Sequence, residues 1–152
     1  MRPSKRNELV SKALDVFYGN GFHATGMDMI VDETGISKTS IYNHFRTKDD
    51  LILAVLRLRD ERFRNWLFRR MAEMSNTPKG QILSMFDALG EWFQTPDFKG
   101  CMFIKAASEF QDPENSIFRQ ADEHKRLIES HLEALASKAQ MPKPSQVAKQ
   151  IL

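Results

Sequence analysis

Residues 35–51 read GISKTSIYNHFRTKDDL and set short hydrogen-bonding side chains at helical spacing. Ile41 and Phe45 are four apart and turn to one side. At 100° per residue Thr39 and Asn43 fall opposite them, with Ser40 and Tyr42 on the flanks and Lys38 at the amino end. Hydroxyl, amide and phenol groups on so slim a helix suit the reading of base edges, because the major groove of B-DNA is about 12 Å wide and offers a distinct donor and acceptor pattern for each pair. A short surface helix on any α-bundle would carry much the same composition.

The flanking residues weigh against that plainer account. Thr25 stands where a helix should begin, so its hydroxyl is expected to cap that helix and sit among free N–H groups that favour an anion. Lys48 opens the next long helix, where the amino-terminal dipole and the ammonium both favour a phosphate. Tyr42 and His44 can each add a hydrogen bond to phosphate or base.

The elements that must position these groups are helical. A first helix is expected from about Lys5 to Tyr18, with Leu9, Ala13, Val16 and Phe17 on one face and Gly19-Asn20-Gly21 closing it. A short run with Met27, Ile30 and Val31 on one stripe ends at Gly35, and Ser37 caps the run containing Ile41 and Phe45. Two short helices across a Gly-containing turn of three to four residues make a helix-turn-helix. Beyond it the spacing predicts a long helix over 48–73, roughly 35–40 Å at 1.5 Å per residue. It also predicts a helix carrying Ile82, Met85, Phe86, Leu89, Trp92 and Phe93, a short helix from about Cys101 to Phe110, a long helix through Ile117 to Leu135, and a further helix opening at SQVAKQIL. The expected fold is all-α: a three-helix head over residues 1–47, then a helical bundle over 48–152.

The segment HATGMDMIVDETGISKTSIYNHFRTKDDL is similar to the DNA-binding part of the TetR family of bacterial transcriptional regulators. Thr25, Gly35, Ser37, Tyr42, His44, Phe45, Lys48 and Leu51 fall in register with it, and Val31 replaces the frequent alanine after Ile30. The resemblance covers residues 5–55 and is loose beyond, apart from DFKGCMFIKAASEFQDPENS, which resembles a Gly-Cys segment of some members' ligand-binding domains. It implies a ligand-responsive repressor that leaves operator DNA when a small-molecule or electrophile inducer binds. Its DNA contacts would be Thr25, Lys38, Thr39, Ser40, Tyr42, Asn43, His44 and Lys48. It also implies a homodimer, joined through carboxyl-terminal helices that this chain, ending at Leu152, is expected to lack for the most part.

Charge distribution agrees with a polyanion at one end. Residues 1–70 hold 13 Lys and Arg against 9 Asp and Glu, whereas residues 71–152 hold 9 against 11. Cys101 is the only cysteine, which excludes an intramolecular disulfide. The longest apolar run, LILAVL, is far shorter than the ~20 residues that span a bilayer, and MRPSKRNELV has no apolar signal core, so a cytoplasmic chain is expected.

In the bundle, an effector pocket would be lined by Phe63, Leu67, Phe86, Leu89, Trp92, Phe93, Cys101, Phe103, Phe110 and Ile128, although stripes at helical spacing serve as plain core in most proteins. Cys101, at the amino end of a helix near Lys99 and Lys105, is a candidate electrophile sensor or an inert buried thiol. His124 and His131 lie about 10 Å apart along one helix, too far to share a metal, and are expected to be structural. No metal or cofactor is expected. A Gly-rich phosphate loop, a paired-His motif and a serine elbow are all missing, which leaves only a Cys101–His pairing for an enzyme. A module that titrates a full-length partner is the other alternative.

Overall fold

The computed structural model describes residues 2–152. Among them eight α-helices and no strand occur: α1 (Lys5–Asn20), α2 (Met27–Thr34), α3 (Lys38–His44), α4 (Lys48–Met74), α5 (Pro78–Phe93), α6 (Met102–Glu109), α7 (Ser116–Lys138) and α8 (Pro144–Ile151). The all-α expectation holds.

Local chemistry sets the helix ends. Ser4 Oγ accepts from the Asn7 N–H at 3.2 Å and starts α1. That helix runs two residues past its expected end, where Asn20 Nδ2 donates to the Val16 carbonyl at 2.8 Å. Gly21 then stops it at φ +87°, a conformation that a Cβ would strain. Thr47 Oγ1 accepts from the Asp50 N–H at 3.1 Å at the start of α4, and Thr77 Oγ1 accepts from the Gly80 N–H at 3.1 Å at the start of α5, where Pro78 occupies a position whose N–H would be unpaired anyway.

The chain packs as two compact units. The first comprises residues up to Asp60 together with Cys101–Asp122; the second comprises Glu61–Gly100 and Glu123–Leu152. Packing therefore does not divide at 47/48, where the sequence suggested a functional boundary. The reason is visible in the first core: Leu51, Ile52, Val55 and Leu56 of α4 and Met102, Phe103 and Ala106 of α6 are buried with Leu9, Phe17, Phe22, Ile30, Ile41 and Phe45 of the amino-terminal helices. Burying a large apolar side chain stabilises by roughly 1.5–3 kcal/mol, so this shared core dominates any local preference at residue 47.

The second unit buries Leu67 and Met71 of α4, Ile82, Met85 and Ala88 of α5, Ile128, Leu132, Leu135 and Ala136 of α7 and Ala148 of α8. Arg70 and Glu91 form a two-pronged pair at 2.9 and 2.7 Å between α4 and α5. Phe86 and Phe93, expected on the inner stripe of α5, are instead 53% and 54% exposed. The inner face of that helix carries Ile82, Met85 and Ala88 and takes in the small Ser84. That rotation leaves Phe86 and Phe93 roughly 100–120° away from it.

Candidate nucleic-acid interface

Gly35 makes the interface turn possible. It takes φ +70° at the end of α2 and returns its N–H to the Val31 carbonyl at 2.9 Å. Thr34 stiffens the same corner: its hydroxyl donates to the Ile30 carbonyl at 2.6 Å and accepts from the Ile36 N–H at 3.2 Å. Ser37 then caps α3 by accepting from the Ser40 N–H at 3.2 Å.

Helix α3 is seated as its pattern requires. Ile41 is fully buried and Phe45 nearly so, and the Arg6 guanidinium lies over the Phe45 ring at 4.8 Å. Lys38, Thr39, Tyr42, Asn43 and His44 are exposed and Ser40 is half-buried. Tyr42 is 46% exposed, so a large aromatic ring stands open to solvent on this face. The outer surface of α3 is therefore one continuous polar face of donors and acceptors.

Three groups at its margin differ from expectation. Thr25 does not cap α2; Gly26 occupies that position without a side-chain hydrogen bond. Thr25 is fully buried and its hydroxyl donates to the Gly21 carbonyl at 2.6 Å, so it braces the α1–α2 turn. Lys38 is not a bare cation, since its ammonium meets the Asp28 carboxylate at 3.1 Å. The hydrogen bond with Asp28, reinforced by its charge, raises the Lys38 pKa above the ordinary value, so the amine stays protonated. Both side chains are exposed, and such a pair costs little to exchange for a phosphate. Lys48 opens α4 half-buried, followed in the same turn by Asp49 and Asp50, which favour the helix dipole but lower the local positive potential.

Asp28, Arg6 and Thr47 are the positioning groups that sequence reasoning passed over. Only Thr47 left a signal, a threonine three residues ahead of an acid at a helix start.

The expected effector residues fall in two places. Cys101, Phe103 and Phe110 belong to the first unit, with Phe103 and Phe110 in its core and Cys101 half-buried against it. Phe63, Leu67, Phe86, Leu89, Trp92, Phe93 and Ile128 belong to the second unit. Within that unit Phe63, Trp92, Phe98 and Phe93 form an aromatic chain, with Phe63 to Trp92 at 5.0 Å and Trp92 to Phe98 at 4.8 Å, both edge-on. His124 is buried, its ring 5.7 Å from Phe63. His131 stacks on Phe68 at 3.8 Å, and its buried Nε2 makes no hydrogen bond. Burial, with help from the Lys138 charge, lowers its pKa from 6.5, so the ring is neutral at physiological pH. No group of three or more His, Cys, Asp or Glu among the described residues is arranged to hold a metal ion. Among the described residues no helix is long and apolar enough to cross a membrane.

Residues 9–55 match the family described as bacterial regulatory proteins, tetR family. The chain is 22% identical over 147 residues to the HTH-type transcriptional regulator YjdC of Escherichia coli K12, a match covering 97% of this chain and 77% of YjdC. It is 34% identical over 88 residues to the HTH-type transcriptional repressor KstR2 of Mycolicibacterium smegmatis, covering 56% of this chain and 41% of KstR2. Its fold superposes on SCO4454, a TetR-family transcriptional regulator from Streptomyces coelicolor, with a TM-score of 0.82 and 25% identity, over 99% of this chain and 86% of that one.

Proposed function

We infer the function from one premise: the chain belongs to the TetR family of bacterial regulatory proteins, and it is a DNA-binding transcriptional regulator rather than an enzyme. On that basis it is a ligand-responsive repressor. Its α3 enters the major groove of operator DNA with Thr39, Ser40, Tyr42 and Asn43 toward base edges, while Lys38, His44 and Lys48 face phosphates. Thr25 serves this interface through the turn it braces and through its backbone. The observation that carries the assignment is the division of α3 into a buried Ile41 and Phe45 side and an exposed polar side.

A homodimer supplies two such helices. Half-sites on B-DNA lie about 34–36 Å apart or at multiples of that spacing, so an effector that changes the distance between two recognition helices lowers operator affinity. The effector class is a small molecule of aromatic or apolar character held by the second unit. That assignment is supported by Phe63, Trp92 and Phe98 and by the unpartnered His131 Nε2, which can exchange one hydrogen bond with a ligand. Cys101 offers the alternative of an electrophile. The repressor assignment follows KstR2 in name, and such a regulator acts in the cytoplasm.

The test is selection of a duplex from a random-sequence pool by the purified chain, followed by footprinting and sedimentation of the complex. A palindromic site protected by two copies is the expected result. A chain that selects no sequence at 50 mM salt overturns the assignment, and a chain that instead binds a homologue without DNA supports the titrating-partner alternative.

A further inference from the structure

The α1–α2 turn, residues 21–26, holds a feature that neither the reading face nor the effector site uses. Gly21, at φ +87°, turns the chain so that the next two backbone N–H groups point the same way. Both are taken by one carboxylate: the Phe22 N–H donates to Glu109 Oε2 at 2.9 Å, and the His23 N–H donates to Oε1 at 2.7 Å. The His23 imidazole Nε2 donates to the Glu109 backbone carbonyl at 3.0 Å, and its ring lies 4.5 Å from Phe110. Phe110 also meets Phe22 edge-on at 6.3 Å. One turn earlier on α6 the Lys105 ammonium sits 5.7 Å from the Tyr18 ring of α1.

All of these residues lie in the first unit. The paired N–H groups of such a turn make a natural anion seat. Here a carboxylate from 86 and 87 residues further along the chain fills it, so the turn is closed to a DNA phosphate. Two charge-assisted hydrogen bonds from one carboxylate fix direction as well as distance. The turn they fix leads directly into α2, four residues after His23, and α2 is hinged to α3 at Gly35.

We propose that Glu109 is a positioning residue for DNA binding: its carboxylate, seated on the Phe22 and His23 N–H groups, locks α6 to the α1–α2 turn and sets the angle at which α2 and α3 are presented. A displacement of the α6 end then reaches operator affinity through this latch. Thr25 belongs to the same device, because its hydroxyl bond to the Gly21 carbonyl keeps the turn in the shape that aims both N–H groups at Glu109. The inference rests on the DNA-binding assignment above.

The test compares Glu109→Gln, Glu109→Asp and the control Ile104→Ala, an exposed position on the same helix. The probes are a duplex selected by the wild-type chain from a random pool and an unselected duplex of equal length. Glu109→Gln places an amide NH2 against one of the two N–H donors, and Glu109→Asp keeps the charge but shortens its reach by one methylene. In both, affinity for the selected duplex falls roughly fivefold to tenfold, as expected for charge-assisted hydrogen bonds to a half-buried group. Affinity for the unselected duplex stays near wild type, the unfolding midpoint falls only modestly, and Ile104→Ala changes neither. Amide exchange at Phe22, His23 and Ile30 accelerates roughly tenfold while Leu14 in α1 keeps its protection.

Selected-duplex affinity within twofold of wild type overturns the proposal. So does an equal loss on both duplexes that tracks lost stability, which marks a merely structural staple. Should Glu109→Gln not fold, Glu109→Asp decides by the same readouts. Should the wild-type chain select no duplex, the DNA-binding assignment fails on its own. The exchange measurement then decides the latch: acceleration that spreads into α2 upholds it, and acceleration confined to Phe22 and His23 refutes it.

Discussion

The two packing units of this chain solve different problems with the same secondary structure. The first buries Leu9, Ala13, Phe17, Phe22, Ile30, Ile41, Leu51, Ile52, Val55 and Leu56 almost completely, and it braces its turns with Ser4, Thr25, Thr34, Ser37 and Glu109. The second places several of its largest groups half in and half out: Phe63, Trp66, Phe68 and Leu89 only pack against the core, and methionines at 71, 74, 85 and 141 fill or line it. Unbranched methionine adapts to irregular gaps, whereas a close-packed aliphatic core with satisfied turns holds one geometry. The proposed groove-matching surface would require the second property, and a bundle proposed to hold an effector would benefit from the first.

Mutations that break this contrast rank by size. Phe22→Ala removes a ring packed between Phe17 and Phe110 in the first core and is expected to cost about 3–5 kcal/mol in denaturant unfolding. If that loss stays under ~1 kcal/mol, the first unit is looser than its burial implies. Ser37→Ala leaves an unpaired N–H at the start of α3 and should cost about 1 kcal/mol, with operator affinity reduced in step.

Phe93→Ala, at a 54% exposed ring of the second unit that meets Trp92 and Phe98, should cost no more than ~1 kcal/mol. A loss as large as that of Phe22→Ala would show that this face is covered in solution. His131 gives the smallest effect and a directional one. Its folded pKa lies below the ordinary 6.5 and the unfolded imidazole gains a proton first as pH falls, so stability is complete above about 6.5 and declines from there toward the folded value. His131→Gln should flatten that part of the Tm-versus-pH curve; an unchanged slope assigns the decline to other groups.

The exposed polar side of α3 was legible before the fold because the division of that helix into two sides is local. Ile41 and Phe45 fix the azimuth of a seven-residue helix and Gly35 and Ser37 fix its start, whereas the groups that brace and present it, Arg6, Asp28 and Glu109, come from elsewhere in the chain. The first core was half legible. Its amino-terminal stripe is periodic, but Met102, Phe103 and Ala106 join it from across the chain, and nothing in the spacing of α6 says which stripe it covers. Glu109 was invisible for the same reason, its partners being backbone N–H groups 86 and 87 residues away. Thr25 misled because a threonine before a helix looks like a cap, whereas its hydroxyl turns back to the Gly21 carbonyl and Gly26 takes the cap position of α2. In α5, two small inward residues rotated the buried face away from Phe86 and Phe93, which hydrophobicity alone could not reveal.

The central claim, that α3 reads bases while the start of α4 grips phosphate, is tested most directly by salt-dependent binding of Asn43→Ala and Lys48→Ala to the selected duplex and to its single-base variants. Asn43→Ala should cost about 1–3 kcal/mol on the selected duplex, relax discrimination at one base pair and leave the salt slope unchanged. Lys48→Ala should weaken every duplex alike and reduce the slope by about one. Equal, sequence-independent losses from both variants would contradict the account, because α3 would then be a phosphate clamp and the base-reading surface would lie elsewhere.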